Sequence, residues 1–552
     1  MGTMSVLPAV TGRQSQQNLA LPDHGLSLRR IRQWELSTIL LVVAGLAVGL
    51  MMLLPPAYLL LRASSAGTAA FDILIKPSTV ATLGRTLLLA GSVTLASAFI
   101  AIPLAWLTVC SDIPGRRLWS VLAALPLVLP SYVAAYLLAS ILGPRGLVQQ
   151  GLEPLLGITR LPDIYGFPGA FISLTLMSYP FTFLSVRAAL QRMDPSLVEA
   201  ARSLGQSPWQ AFRRVTLPHL RPGLVAGSLL VALYVVRDFG AVSMMRYDTF
   251  TRIIYVQYRS FIDRSVAASL ALVLVAVTAT ILYMEFRTRG RASYARGSVG
   301  APRQARRVVL GSWRVPALLF VGAVVTVSLV MPAAGLLYWF VRGLQETYAL
   351  SSLWGTAWNS LVVSGAAAIV VTAMALPVAI LAVRRPGRLS QFVERLTYIG
   401  YALPGIVIAL ALVFFGASYA TRWYQTLPLL LVGYAILFIP QAVGSTRTSL
   451  LQIPACLEEA GRSLGHSRAS VLRRVTLPLL SPGLAAGAAL VFLTCMKELP
   501  LTLILSPLGF RTLATGVWGN ISEAFFAQAA APALLLVLLS SVPLALLTLR
   551  EK

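Results

Sequence analysis

Glu199-Ala200-Ala201-Arg202-Ser203-Leu204-Gly205, followed by Arg213-Arg214-Val215-Thr216-Leu217-Pro218, returns 260 residues later as Glu459-Ala460-Gly461-Arg462-Ser463-Leu464-Gly465 and Arg473-Arg474-Val475-Thr476-Leu477-Pro478. The match continues through Arg221-Pro222-Gly223-Leu224 and Ser481-Pro482-Gly483-Leu484. A polar, arginine-rich loop carried twice points to one task done twice. The flanking sequence repeats as well. Arg85-Thr86-Leu87 pairs with Asn359-Ser360-Leu361, Ile102-Pro103 with Leu376-Pro377, and Leu129-Pro130 with Leu403-Pro404, all at an offset of 274. The drop from 274 to 260 leaves about 14 extra residues in the first half, in the Gly- and Pro-containing segment 144–167.

Between these loops the chain is strongly apolar. With 57% hydrophobic and 12% charged residues, it falls far below the roughly 25% charged residues of a soluble domain. Apolar runs long enough for a hydrocarbon core recur throughout. Twelve spans are expected near 36–61, 81–109, 118–143, 168–190, 223–245, 266–284, 315–341, 357–383, 396–417, 427–446, 483–506 and 530–549. The run from Leu36 to Leu61 is too long for a signal-peptide core and reads as a retained membrane helix.

The predicted fold class is therefore an all-α polytopic membrane protein of about twelve transmembrane helices in two parallel six-helix repeats. The division runs 1–35 tail, 36–284 first half with its repeated loop at 191–222, 285–314 linker, and 315–552 second half with its loop at 447–482. The net charge of +26 does not point to nucleic acid, because the arginines gather in alternate loops, the positive-inside pattern. Arg29, Arg30 and Arg32, Arg116 and Arg117, the repeated loops and the arginine-rich linker thus place both termini and both repeated loops in the cytoplasm. Loop 246–265, with Arg246, Arg252, Arg259 and Arg264 against Asp248 and Asp263, is the exception.

The repeated loop reads as two short helices with a bend. Asp194 is suited to an N-cap, Pro195 to the first turn and Gly205 to the C-terminal stop. Leu197, Ala200, Ala201 and Leu204 share one face, as do Leu457, Ala460, Gly461 and Leu464, while Glu199 with Arg202 and Glu459 with Arg462 are i,i+3 partners. Ser207-Pro208 and Ser467 open the second helix, and Leu217-Pro218 and Leu477-Pro478 close it. An amphipathic helix on lipid headgroups would explain the arginines. It would not require Glu, Gly and Leu-Pro at fixed spacing twice, so docking of a cytoplasmic partner is the better reading.

The pattern Glu-Ala-Ala, three residues, Gly, nine residues, Val-x-Leu-Pro resembles the cytoplasmic signature of permease subunits of bacterial ABC importers, with Gly461 the one departure. The resemblance implies that Glu199, Ala200, Ala201, Gly205, Leu217 and Pro218, with Glu459, Ala460, Gly461, Gly465, Leu477 and Pro478, form two coupling loops that dock on an ATP-binding subunit dimer. It also implies a periplasmic solute-binding protein, the bacterial inner membrane, and ATP and Mg in the partner, with no cofactor on this chain. Arg237-Asp238-Phe239-Gly240, Lys497-Glu498-Leu499-Pro500 and Pro507-Leu508-Gly509-Phe510 resemble the ferric-iron permeases within that family. Fused thiamine permeases are near relatives.

No Gly-Lys pair occurs, so there is no phosphate-binding G-x-x-x-x-G-K-[ST] loop. Cys110, Cys456 and Cys495 have no metal spacing, and His24, His219 and His466 are scattered. Neither a catalytic set nor a metal site is legible, and a transport subunit rather than an enzyme is expected. Arg237, Asp238, Lys497 and Glu498 fall about 15 residues beyond Gly223 and Gly483, roughly 22 Å along a helix. Ionisable groups at that depth face a cavity or one another, so two readings stand: lining of the translocation path, or structural ion pairs. An ion-coupled secondary transporter would share the twelve-span plan but gives no reason for the matched loops.

Overall fold

The computed structural model describes residues 36–65, 72, 75–144, 146–157, 160–260, 264–290, 308–345 and 351–550. The tail 1–35 and residues 291–307 of the expected linker lie outside them. Among the described residues the chain is helical apart from its turns, with one isolated parallel bridge between Ser111 and Val308. Helices suit an apolar solvent because they satisfy every backbone group within the segment.

Ten described helices are long and apolar enough to cross a membrane. The pair Arg388–Ala402 and Gly405–Tyr419, bent by 105°, makes an eleventh, and the shorter apolar stretch Phe526–Val542 stands where the twelfth was expected. Four expected spans are not continuous. The third divides into Arg116–Leu122, Leu125–Val128 and Ser131–Leu142, and the ninth into Arg388–Thr397, Ile399–Ala402 and Gly405–Tyr419. Pro130 and Pro404 stand at the breaks, where each lacks an N–H and bars helical geometry in the residue before it. The expected spans 223–245 and 483–506 stop at Arg237 and Met496, then restart as Gly240–Met244 and Pro500–Leu505.

Each half is built around three packed helices. Pro77–Cys110 lies against Phe167–Arg192 and Leu217–Arg237, and Ser351–Arg384 against Leu427–Leu451 and Leu477–Met496. Small residues let the backbones approach, as is usual where lipid removes the hydrophobic drive. A Cβ on Gly227 would stand 2.7 Å from Thr182 Cα, and one on Gly223 2.9 Å from Ala189 Cβ.

The first helix of each half crosses to the other half. Leu36–Ser65 packs on Ser351–Arg384, Arg388–Thr397 and Gly405–Tyr419, where Gly49 brings its backbone close to Leu396. In the second half Met331–Gln345 reaches Ser131–Leu142, with Trp339 Nε1 donating to Ser140 Oγ at 3.1 Å. The hydroxyls of Tyr179 and Ser328 meet at 3.2 Å on the same seam. One buried core therefore runs through both halves, from Met52 and Val93 to Ile408 and Val491.

Candidate functional site

The repeated loops fold alike. The first has helices Ser196–Ser203 and Pro208–Ala211, the second Ala455–Ser463 and Arg468–Val471. Gly205 and Gly465 end the first helices at φ +82° and +83°, a left-handed conformation that glycine adopts without Cβ strain. The N–H of Gly205 donates to Arg202 O at 3.0 Å and that of Gln206 to Ala201 O at 3.2 Å. Gly465 and His466 repeat this with Arg462 and Gly461 at 2.9 and 3.3 Å. This double bond is the Schellman stop, which satisfies the last carbonyls. Ser207 caps the second helix, its Oγ accepting from Gln210 N while Gln210 Oε1 accepts from Ser207 N, a capping box.

Three expectations change here. The first helix begins at Ser196, with Asp194 Oδ1 accepting the Ser196 N–H at 3.0 Å from one place further out. That bond holds the exposed Asp194 carboxyl below its usual range. Leu217-Pro218 and Leu477-Pro478 do not close the second helix. A π turn at Phe212–Thr216 and Leu472–Thr476 carries the chain straight into Leu217–Arg237 and Leu477–Met496. The wider turn makes room for the proline ring that an α-helical carbonyl would strike. Glu199 and Glu459 form no ion pair with Arg202 or Arg462 among the described residues; all four are exposed.

The apolar face is directed outward. Leu204 and Leu464 are 83% and 80% exposed, Leu197 and Leu457 41% and 43%. Ala200 and Ala460 are exposed with them, and only Ala201 and Gly461 are buried, each under the second short helix. The departure of Gly461 has a steric cause. Where the first loop has Ala211, the second has the larger Val471, and a Cβ on Gly461 would stand 3.0 Å from Val471 Cγ2. Ala201 over Ala211 and Gly461 over Val471 fill the same space.

At the far ends of Leu217–Arg237 and Leu477–Met496 stand the four ionisable residues. Neither neighbouring pair is an ion pair. The carboxylates cap the short helices that follow: Asp238 accepts from Ala241 N at 2.9 Å and from the Ser131 hydroxyl, and Glu498 accepts from Leu501 N at 3.1 Å. The cations cross between halves. Arg237 Nη1 donates to Tyr401 O at 3.3 Å, and Lys497 Nζ to Leu127 O at 2.9 Å. Tyr401 and Leu127 are themselves equivalent, 274 residues apart, at the C-terminal ends of the short helices Ile399–Ala402 and Leu125–Val128 in the broken spans. Each cation thus meets the negative end of a helix of the other half.

The sequence did not reveal Tyr401 and Leu127, because a backbone carbonyl leaves no side-chain signature. Ser131 and Gly405 were equally hidden. They are equivalent positions, and a Cβ on Gly405 would stand 2.5 Å from Glu498 Oε1. The extra methylene of Glu498 over Asp238 occupies the room that Ser131 takes in the first half. Glu458 was also missed, although it replaces Val198 inside a closely matched repeat.

This architecture, two copies of an exposed loop feeding a crossed pair of membrane-spanning helix bundles, is that of an importer permease. The chain belongs to the family described as the binding-protein-dependent transport system inner membrane component, which it matches twice, over residues 98–289 and 375–552. It is 34% identical over 504 residues to the Fe(3+)-transport system permease protein FbpB 2 of Haemophilus influenzae, covering 91% of this chain and 96% of that protein. It is 24% identical to the ferric transport system permease protein FbpB of Actinobacillus pleuropneumoniae, over 82% of this chain and 68% of that protein. The sulfate transport system permease protein CysT of Salmonella typhimurium is 30% identical over 253 residues, 45% of this chain and 90% of that protein. The chain is a multi-pass permease subunit of an importer, not an enzyme.

Proposed function

We propose that this chain supplies two fused permease halves of the membrane pathway of an ATP-driven ferric-iron importer. The reading is supported by likeness over 91% of the chain to a protein named as an Fe(3+)-transport permease and by two matched, outward-facing loops. The functional division follows the repeat: 36–284 and 315–552 as two permease halves, with the intervening 285–314 and both termini on the cytoplasmic side. Each repeated loop docks one subunit of an ATP-binding dimer. ATP and Mg act in that partner, and a periplasmic binding protein delivers the ion.

The coupling residues are Glu199, Ala200, Ala201, Gly205, Leu217 and Pro218 in the first loop. Glu459, Ala460, Gly461, Gly465, Leu477 and Pro478 serve in the second. The observation that carries this role is the pair of exposed leucines, Leu204 and Leu464, held at the same place by the same glycine stop. A partner that binds one of its own nucleotide states more tightly to these faces shifts the permease between conformations. Because the second short helix of each loop runs through the π turn into the helix ending at Arg237 or Met496, the loops are joined by continuous helix to the cross-half bonds. Arg237, Asp238, Lys497 and Glu498 act at the translocation path: Arg237 and Lys497 make and break those bonds, while Asp238 and Glu498 hold the turns that carry them.

The test is co-purification of an ATPase with the intact chain, alongside uptake of radiolabelled ferric iron by cells. Gly205→Val together with Gly465→Val strains a φ near +80° that β-branched residues avoid, in places where a Cβ meets no atom within 4 Å. The expected result is a membrane-inserted chain without its ATPase and without uptake. An ATPase retained by the double variant would end the coupling reading. Uptake of thiamine in place of iron would end the substrate assignment alone.

A further inference from the structure

Glu458 gives the second loop a fastening that the first does not have. Its Oε1 accepts from Arg384 Nε at 2.9 Å and from Thr476 Oγ1 at 3.2 Å, and Arg384 Nη2 also donates to Ile453 O at 3.0 Å. Arg384 ends the helix Ser351–Arg384, and Thr476 ends the π turn from which Leu477–Met496 rises. One carboxylate therefore ties the loop helix Ala455–Ser463 to two membrane-crossing helices. The side chains of Arg384 and Glu458 are only 18% and 22% exposed, so water and salt screen the pair far less than a surface contact.

At the equivalent places the first half has Val198 and, at the end of Pro77–Cys110, Cys110. Thr216 is retained but has no carboxylate to bond. A second tie, Arg468 Nη1 to Thr38 Oγ1 at 3.4 Å, joins the second loop to Leu36–Ser65. The first loop has Pro208 there. Among the described residues, the polar and aromatic contacts the first loop shows lie within it, such as the Ser207–Gln210 box and Trp209 stacked on Phe212 at 5.6 Å.

We propose that Glu458 is a positioning residue that locks the second loop to the membrane helices, so that the two loops are unequal levers. The second moves as one body with Ser351–Arg384 and Leu477–Met496, whereas the first, held by packing, yields before its helices follow. Most of the work of the partner ATPase then enters through the second half. This rests on the coupling role proposed above.

Hydrogen exchange of the detergent-purified complex reads the lock directly. Amides 457–466 are expected to exchange about tenfold more slowly than 197–206, the ratio that about 1.4 kcal/mol of added local stability gives. Glu458→Gln should erase that difference and leave 197–206 unchanged. The charge-swapped Arg384→Glu with Glu458→Arg should restore it. Arg384→Gln, which spares the bond to Thr476, should move the same amides in the same direction and serves if Glu458→Gln does not fold. In the reconstituted importer Glu458→Gln should keep its ATPase bound yet carry less ferric iron per ATP hydrolysed, with the swap recovering the ratio. Equal exchange of the two loops in the unaltered chain, or an unchanged ratio in a folded Glu458→Gln, would overturn the proposal. Absence of any ATPase from the unaltered complex would strike the coupling reading instead, while the exchange difference would still report the lock.

Discussion

The two repeated loops follow the same backbone and are held in place differently. Both end their first helix on a left-handed glycine and enter the membrane through a π turn. Yet the second is fastened by Arg384, Glu458 and Thr476, and the first rests on Val198 and its aromatic stack. A similar contrast appears at a second ion pair of the same half. Arg447 pairs with Glu394 at 3.1 Å, whereas in the first half Ser120 stands at the position equivalent to Glu394 and the Nε of the equivalent Arg187 is buried without a hydrogen-bond partner among the described residues. Shape has been kept by compensation of volume, Ala201 over Ala211 against Gly461 over Val471, and Ser131 with Asp238 against Gly405 with Glu498. These two ion pairs have not been kept. Close packing penalises a change of even one methylene, while a charge can be lost wherever an apolar group fills its place.

The close approach of helices offers the largest test of that contrast. Gly227→Val drives a side chain at the backbone of Thr182, 2.7 Å from the added Cβ, and should cost about 3 kcal/mol, the upper range of overpacking. The equivalent Gly487→Val meets mainly the rotatable Ser445 hydroxyl, with Ala442 Cα at 3.7 Å, and should cost less. Thermal unfolding of the purified variants separates them; equal losses would mean the halves do not differ in packing here.

A smaller effect is expected where the carboxylates cap. Asp238→Glu needs the space of Ser131 and should cost about 2 kcal/mol, and adding Ser131→Gly should recover most of it by copying the Gly405–Glu498 arrangement. The same melts read the coupling between the two sites. If Ser131→Gly brings no recovery, volume compensation is not what keeps the halves alike.

The smallest effect belongs to Asp194, which the second loop replaces with Pro454. Its carboxyl has a lowered value in the folded chain, so its bond to Ser196 contributes above the ordinary carboxylate range and is lost as pH falls through the lowered value. Exchange of amides 196–199 should quicken on acidification, and Asp194→Ala should remove that pH dependence. The amides of 455–458 next to Pro454 should show no such step from a capping carboxylate.

How much was legible follows from what leaves a mark in sequence. The repeat, the apolar spans and the glycine stops were readable because each is a local pattern: a period, a run, a residue type that a backbone angle requires. Continuous spans through Arg237 and Lys497 were expected because apolar residues continue on both sides; the breaks appear because Asp238 and Glu498 turn back to cap the next helix. The outward apolar face was readable as a face but not in its direction. Only the short second helix, folded over Ala201 and Gly461, leaves Leu204 and Leu464 in the open.

From its sequence alone this chain is an all-helical membrane protein, duplicated, with two closely matched loops of the importer-permease type, since periodicity, composition and backbone requirements act over a few residues. The crossing of each half's first helix onto the other, the donation of Arg237 and Lys497 to Tyr401 and Leu127, and the lock at Glu458 were settled only in three dimensions. The ties of Arg384 to Glu458, Arg237 to Tyr401 and Lys497 to Leu127 join residues 74, 164 and 370 positions apart. Their partners are backbone carbonyls or side chains from other helices, and no local pattern encodes who will stand opposite.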